Sequence, residues 1–206
     1  MTCDQLQFGF CVMDQSKAFD LVEWSSLFRL LRDKGVPPIF IRVLIFIYSN
    51  QHCDVMWNST YSDRFKVSNG VRQGAVSSPL LFSIYIDGLI SLLRKSGLGC
   101  QVDSFYYGVL GYADDLLLLS ASRSGLQAMV KICERFAKTR KLKFSTHVNP
   151  AKSKTKCVIF TRVKDMRNGV ASIILNGNPL PWVDHVKHLG NILQSDNTMR
   201  SDCSIT

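Results

Sequence analysis

Apolar and polar positions change their period several times along the chain, and each change marks an element. Leu6-Gln-Phe-Gly-Phe-Cys-Val-Met13 alternates and is rich in aromatic and β-branched residues, which predicts a buried strand ending at Asp14. Trp24, Leu27, Phe28 and Leu31 then recur at helical spacing until Gly35 and Pro37-Pro38 stop the helix. The second proline suits the first turn of another helix, Ile39 to Tyr48, whose apolar run reads as buried. Cys53–Trp57 and Arg64–Val67 read as a strand pair around a polar turn, Asn58 to Asp63. After a loop of small and polar residues, Gly70 to Ser78, Pro79 opens an apolar helix from Leu80 to Leu93.

The second half shortens its period again. Phe105–Leu110 and Leu116–Ser120 are strand-like, with Gly111-Tyr-Ala-Asp-Asp115 between them. Ser124 is the expected N-cap of a helix running through Phe136 to about Lys141. Cys157–Thr161 follows as a strand, Ile173–Leu180 as a hairpin with an Asn-Gly turn, and His188–Leu193 as a last strand. This mixture predicts an α+β fold with a mostly antiparallel sheet and helices packed on one face.

Composition narrows the function classes. Hydrophobic residues make up 46% of the 206, enough for a packed core. No apolar run reaches the ~18 residues of a membrane span, so no membrane association is expected. The first residues lack the basic and apolar regions of a secretory signal. Seven scattered cysteines without a C-x-x-C pair predict reduced thiols in an intracellular compartment.

The net charge of +9 has one source. Residues 131–170 hold 12 basic and 2 acidic side chains, from Lys131 to Arg167, whereas residues 1–130 balance 11 against 11. A basic block of this kind fits either a polyanion, with nucleic acid the usual partner, or a solvated helix face and loop.

Candidate chemistry sits in Gly111-Tyr-Ala-Asp-Asp-Leu-Leu-Leu-Leu119, where two adjacent carboxylates interrupt apolar runs. Buried charges need a partner or a metal. Neighbours on a regular strand point to opposite faces, but at a tight turn both can lean the same way. Asp14 also ends an apolar strand. If that strand lies beside the 105–120 hairpin, three carboxylates meet at one sheet edge. Hard oxygen donors without His or Cys suit Mg²⁺, which takes one or two carboxylates plus substrate phosphates. Two such ions about 4 Å apart can serve an in-line phosphoryl transfer. A solvated acidic turn is the competing reading of Asp114-Asp115 alone.

Several ordered motifs shift that balance. Met13-Asp-Gln-Ser-Lys-Ala-Phe-Asp20, Asn69-Gly-Val-Arg-Gln-Gly-Ala-Val-Ser-Ser-Pro-Leu-Leu-Phe82, Tyr112-Ala-Asp-Asp115, Asn149-Pro-Ala-Lys-Ser-Lys-Thr-Lys156 and His188-Leu-Gly190 occur in sequence. In this order and spacing the chain resembles the reverse transcriptase palm of non-LTR (LINE-type) retrotransposons, from about residue 8 to 193. Ser77 stands where a leucine is common in the second motif.

The resemblance implies a polymerase palm and an RNA-directed DNA polymerase that adds dNTPs to a primer 3′-OH by two-metal nucleotidyl transfer. Asp14 and Asp114 would be metal ligands, with Asp115 a third carboxylate and the Gln15 main-chain carbonyl a further donor. The ions would be two Mg²⁺, with Mn²⁺ able to substitute. Phe19 would be the steric gate against a ribose 2′-OH, or ordinary core packing. Gln73 and Gly74 would touch the incoming nucleotide and templating base, or form a plain turn; Arg72 would contact phosphate or remain solvated. Lys154 best fits the general acid that protonates the pyrophosphate leaving group, with Lys152 and Lys156 close enough to leave the register open. Partners would be an RNA template, a DNA primer and dNTP, and the site of action nuclear.

Residues 1–194 are accordingly expected to be a partial palm and 195–206 a C-terminal tail. Fingers, thumb and an upstream endonuclease are expected in a longer polyprotein, so the chain alone should polymerise weakly or not at all. The competing function is a non-catalytic nucleic-acid-binding remnant of a decayed element. His185 and His188, with Cys203, match no zinc pattern well.

Overall fold

A computed structural model describes residues 8–160, 170–195 and 199–201. Leu6, Thr161, the 161–169 part of the basic block, Cys203 and most of the expected tail lie outside the described residues. Along the chain come β1 (Phe8–Met13), α1 (Trp24–Asp33), α2 (Pro38–Ser49), the two-residue strands β2 (His52–Cys53), β3 (Met56–Trp57), β4 (Thr60–Tyr61) and β5 (Phe65–Lys66), and α3 (Ser78–Lys95). There follow β6 (Gln101–Val102), β7 (Phe105–Tyr106), β8 (Val109–Tyr112), β9 (Asp115–Ser120), α4 (Arg123–Arg140), β10 (Lys156–Phe160), β11 (Ile174–Leu175), β12 (Asn178–Pro179), β13 (His185–His188), β14 (Asn191–Gln194) and β15 (Met199–Ser201). These form two compact units, Met1–Ser16 with Gly88–Thr206, and Lys17–Asp87.

The first unit is built on a four-stranded sheet ordered β10-β1-β9-β8, antiparallel at every step. Because side chains alternate along a strand, Phe10 and Val12 share one face with Leu117 and Val158. The β13–β14 hairpin covers that face through Val186, with Val183 and Leu193 packed at its margin. On the opposite face α4 packs against β1 and β9, burying Leu126, Met129, Val130 and Cys133. The expected antiparallel sheet with helical cover is therefore present, and the second face is closed by a hairpin.

Several local expectations are corrected. Ser122, not Ser124, caps α4: its Oγ accepts from the Gly125 N–H at 3.1 Å, which satisfies a donor of the first turn. The segment 188–193, read from its period as one strand, turns at Leu189-Gly190 with φ of 49° and 78°; this hairpin agrees with the resemblance of His188-Leu-Gly190 to the primer-grip hairpin of the retrotransposon palm. The Asn176-Gly177 turn forms as expected, with both residues at positive φ.

In the second unit α1 buries Leu27 and Leu31, and Trp24 and Phe28 pack on Tyr48 of α2 at ring separations of 5.4 and 6.3 Å. The polar segment read as a turn holds a small hairpin of its own, β3–β4, inside the β2–β5 pair. The larger correction is α2. Pro37 and Pro38 start it as expected, yet only Tyr48 is buried. Ile39, Phe40 and Phe46 are 61%, 61% and 70% exposed, so a helix read as core presents its apolar side chains outward.

Candidate active site

Asp14 follows directly on the last pair of the β1–β9 ladder, Met13↔Leu116. The ladder thus ends with Asp14 next to the start of β9, which Asp115 opens. Side chains alternate along each strand, so Asp14 follows the side of β1 that carries Val12, and Asp115 the side of β9 that carries Leu117. Asp14 is held from both chain directions. Its N–H donates to Thr155 Oγ1 at 3.2 Å, and its carbonyl accepts from the Ser145 N–H at 2.8 Å.

The β8–β9 connection brings in the third carboxylate. Tyr112 pairs with Asp115, so Ala113 and Asp114 are the two turn residues. Ala113 has φ +53°, a conformation most non-glycine side chains avoid, and the tight turn keeps Asp114 beside the start of β9. Asp115 feels the other two acids. Burial pushes the Asp115 carboxyl above the ordinary carboxylate value, the Asp114 charge adds to this, His188 opposes it and Asp14 raises it further.

Gln15 completes the cluster. It is buried at 5% exposure, and its Nε2 donates to the Asp114 main-chain oxygen at 3.1 Å. Its Oε1 is buried without a hydrogen-bond partner among the described residues. Gln15 bridges antiparallel to Phe144 through bonds made by the residues on either side, Ser16 N–H to Lys143 O and Ser145 N–H to Asp14 O. In that pattern the N–H and carbonyl of Gln15 itself face away from Phe144. Among the described residues, no group of three or more His, Cys, Asp or Glu is arranged to hold a metal unaided. The donor set nevertheless fits a hard divalent cation: neighbouring carboxylates, one of them with a raised pKa, plus an outward carbonyl and an orphaned amide oxygen.

The fourth motif supplies cations at the same end of the sheet. Lys156 opens β10 opposite Val12, on the face that carries Asp14. Lys154 is exposed at the bend before it, and Lys152 is exposed at the end of a short 3₁₀ turn. None of the three has an ion-pair partner among the described residues. Thr155, fully buried between Lys154 and Lys156, is a site residue that sequence reasoning passed over. His188, whose sequence context shows a strand and a motif but no link to the acids, lowers the Asp115 pKa. Two residues on from the packed Val186, it follows the same side of β13.

The remaining candidates lie in the second unit, around Asp20. The Gln73 Nε2 donates to Asp20 Oδ1 at 3.2 Å and the Asn69 Nδ2 to Asp20 O at 3.1 Å. The Val71 N–H donates to Phe19 O at 2.8 Å. The first motif thus anchors the second, with Asp20 as a link that the residue pattern did not single out. Phe19 is half-buried and stacks on Phe82, ring centroids 4.9 Å apart. Arg72 is exposed, and its carbonyl accepts from Ser78 Oγ at 2.6 Å. Gly74 has φ +82° and open space where a Cβ would stand.

The family model for reverse transcriptase (RNA-dependent DNA polymerase) matches residues 5–193. The chain belongs to the reverse transcriptase family. Over 123 residues, 60% of its length, this reverse transcriptase chain is 34% identical to the retrovirus-related Pol polyprotein from type-1 retrotransposable element R2 of Nasonia vitripennis. Over 118 residues, 57% of its length, it is 32% identical to the Pol polyprotein from type-2 retrotransposable element R2DM of Drosophila melanogaster. It spans 12% and 11% of those two proteins. Its fold is similar to that of apo telomerase from Candida tropicalis, with a TM-score of 0.65 at 13% identity over 96% of this chain and 33% of that one. These relatives agree with the non-LTR retrotransposon resemblance and with a reverse transcriptase fold of helices and antiparallel strands. No helix among the described residues is long and apolar enough to cross a membrane.

Proposed function

We propose that this chain is the catalytic palm of a non-LTR retrotransposon reverse transcriptase, adding dNTPs to a DNA primer 3′-hydroxyl on an RNA template. In this reading residues 1–194 form the palm and 195–206 a tail. The observation that carries it is the β1–β9 ladder, which ends at Met13↔Leu116 and so brings Asp14 to the start of β9 beside the Asp114 turn, together with the influence of the Asp114 and Asp14 charges on the Asp115 carboxyl. Asp14, Asp114, Asp115 and the Gln15 carbonyl would hold two Mg²⁺, with Mn²⁺ able to replace them. Bound there, such ions would supply activation of the attacking hydroxyl and charge relief at the leaving oxygen.

The chain's own residues do the rest. Thr155 and Ser145 fix the Asp14 backbone, so its carboxylate is positioned before substrate arrives. Lys154 gives its proton to the departing pyrophosphate, while Lys152 and Lys156 neutralise phosphate charge. Gln73 and Gly74 contact the nucleotide, Phe19 excludes a 2′-hydroxyl, and Arg72 takes a backbone phosphate. Fingers, thumb and endonuclease belong to the longer polyprotein, in keeping with the relatives' greater length, and the site of action is nuclear.

The test is extension of oligo-dT on poly-rA with dTTP and Mg²⁺, with the chain alone and embedded in a polypeptide carrying complete fingers and thumb. Asp14→Asn and Asp114→Asn should each cost at least the roughly 10–100-fold lost when a mere support of a metal ligand is removed. Extension that survives both substitutions overturns the site. A complete polypeptide that binds poly-rA/oligo-dT without extending it favours the non-catalytic remnant instead.

A further inference from the structure

Charge bookkeeping along the chain assigns nucleic-acid contact to residues 131–170 and finds the first 130 neutral. The structure gathers three arginines of that neutral part into one place. A groove of about 390 Å³ between α1 and α2 is lined by Phe28, Arg29, Arg32, Pro38, Ile41 and Arg42. This is at the small end of the volumes that hold a ligand. Arg29 and Arg32 are three apart and share a face of α1, and Arg42 reaches the groove from α2. No Asp or Glu is among its lining residues. Arg32 meets Asp33 at 3.3 Å, but both side chains are mostly exposed, at 72% and 55%, so that pair is weak and readily exchanged. Among the described residues Arg29 and Arg42 have no ion-pair partner.

We propose that this groove is a binding site for single-stranded nucleic acid, with the Arg29, Arg32 and Arg42 guanidiniums on successive phosphates and Phe28, Pro38 and Ile41 beneath a base or sugar. Three arginines lining one groove make a phosphate-binding set, because each guanidinium presents a planar fork of donors that matches phosphate oxygens. The apolar floor adds what a simple anion site lacks, a surface for the non-ionic part of a nucleotide. None of the lining residues belongs to the candidate active site. The choice of a polynucleotide among polyanions rests on the reverse transcriptase reading.

The experiment is fluorescence anisotropy of the full chain with a labelled single-stranded oligo-rA, over a range of salt. Three released phosphate contacts at about 0.7 each predict that R29Q/R32Q/R42Q binds about 100-fold more weakly near 0.1 M salt, with a log–log salt slope shallower by about 2. All three side chains are exposed, so the melting temperature should stay unchanged. The R29K/R32K/R42K variant should recover part of the affinity by restoring charge without the fork.

K152Q/K154Q/K156Q is measured in parallel. If it weakens binding while the arginine variant binds like the parent, the groove is refuted and the reverse transcriptase reading survives. If neither variant weakens binding, both assignments of nucleic-acid contact fail. Labelled poly-glutamate whose binding depends on the arginines, with oligo-rA binding unaffected, would mean an acidic polypeptide partner and would equally overturn the proposal.

Discussion

The N–H of Asp14 donates to the hydroxyl of Thr155, 141 positions later in the chain, at 3.2 Å. Thr155 is fully buried, so no water stands ready to replace it. Thr155→Val keeps the shape and removes the acceptor, leaving the Asp14 N–H unsatisfied. The expected cost is about 1–3 kcal/mol of stability in denaturant titration. Thr155→Ser, which restores the hydroxyl, should recover most of it. In a polymerising context the valine variant should also lower kcat more than it raises KM.

The raised Asp115 pKa sets a pH dependence with a definite sign. In the folded chain burial and the Asp114 and Asp14 charges favour the protonated carboxyl. The stability contributed by that proton is full below the unfolded carboxylate pKa and is lost as pH rises through the higher folded value. Asp115→Asn removes both the cost of burying a charged carboxylate and the repulsion from Asp114 and Asp14 at neutral pH. Its denaturation midpoint should exceed the parent's at pH about 7 by under about 1 kcal/mol, the scale of partly solvated charge interactions. The advantage should vanish at pH about 3.5 and shrink, without disappearing, in molar salt, which screens the repulsion and leaves the burial penalty. Added Mg²⁺ should stabilise the parent more than the variant.

The legible parts of the fold were those decided locally. The unbroken apolar, aromatic and β-branched run Phe10-Cys-Val-Met13 made β1 legible because both its faces pack, and the Asn176-Gly177 turn was readable because its two residues accept positive φ without strain. The Leu189-Gly190 turn carries no such local signal, since leucine rarely adopts φ near 49°; the period of apolar residues shows one strand there, and only the resemblance of His188-Leu-Gly190 to a primer-grip hairpin points to the turn. Ser122 and Ser124 are equivalent as letters; only the Gly125 N–H distinguishes the cap. The apolar composition of α2 reports that something should cover it, and composition cannot say whether this chain does. At the candidate site the acids were visible as residues. The ladder that brings Asp14 to Asp115 ends at Met13↔Leu116, a register 103 positions apart that no local period encodes.

Phe19 carries two expectations that separate by measurement. Its ring stacks on the buried Phe82 at 4.9 Å, so Phe19→Ala should lose about 1–2 kcal/mol whatever else it does. As the gate against a 2′-hydroxyl, the same substitution should lower the preference for dNTP over rNTP by about 10–100-fold in kcat/KM, the range a pocket achieves against one extra group. Lost stability with unchanged sugar preference would leave Phe19 a packing residue only.

Two glycines of one loop answer a similar question by contrast. Gly70 has φ +89°, and a Cβ there would meet the Asp20 Cα and carbonyl oxygen at 3.0 Å. A backbone neighbour cannot swing aside as a side chain can, so Gly70→Ala should cost more than about 2 kcal/mol from conformation and collision together. Gly74 has a similar φ, +82°, but nothing within 4 Å of a built Cβ. Gly74→Ala should therefore cost only the conformational part, about 1 kcal/mol. If the open space at Gly74 is where a nucleotide approaches the backbone, that nearly normal fold should lose about 100-fold in primer extension, the penalty of displacing a reactant by about 1 Å. Full activity in a folded Gly74→Ala variant would reduce the glycine to a turn residue and remove it from the nucleotide site.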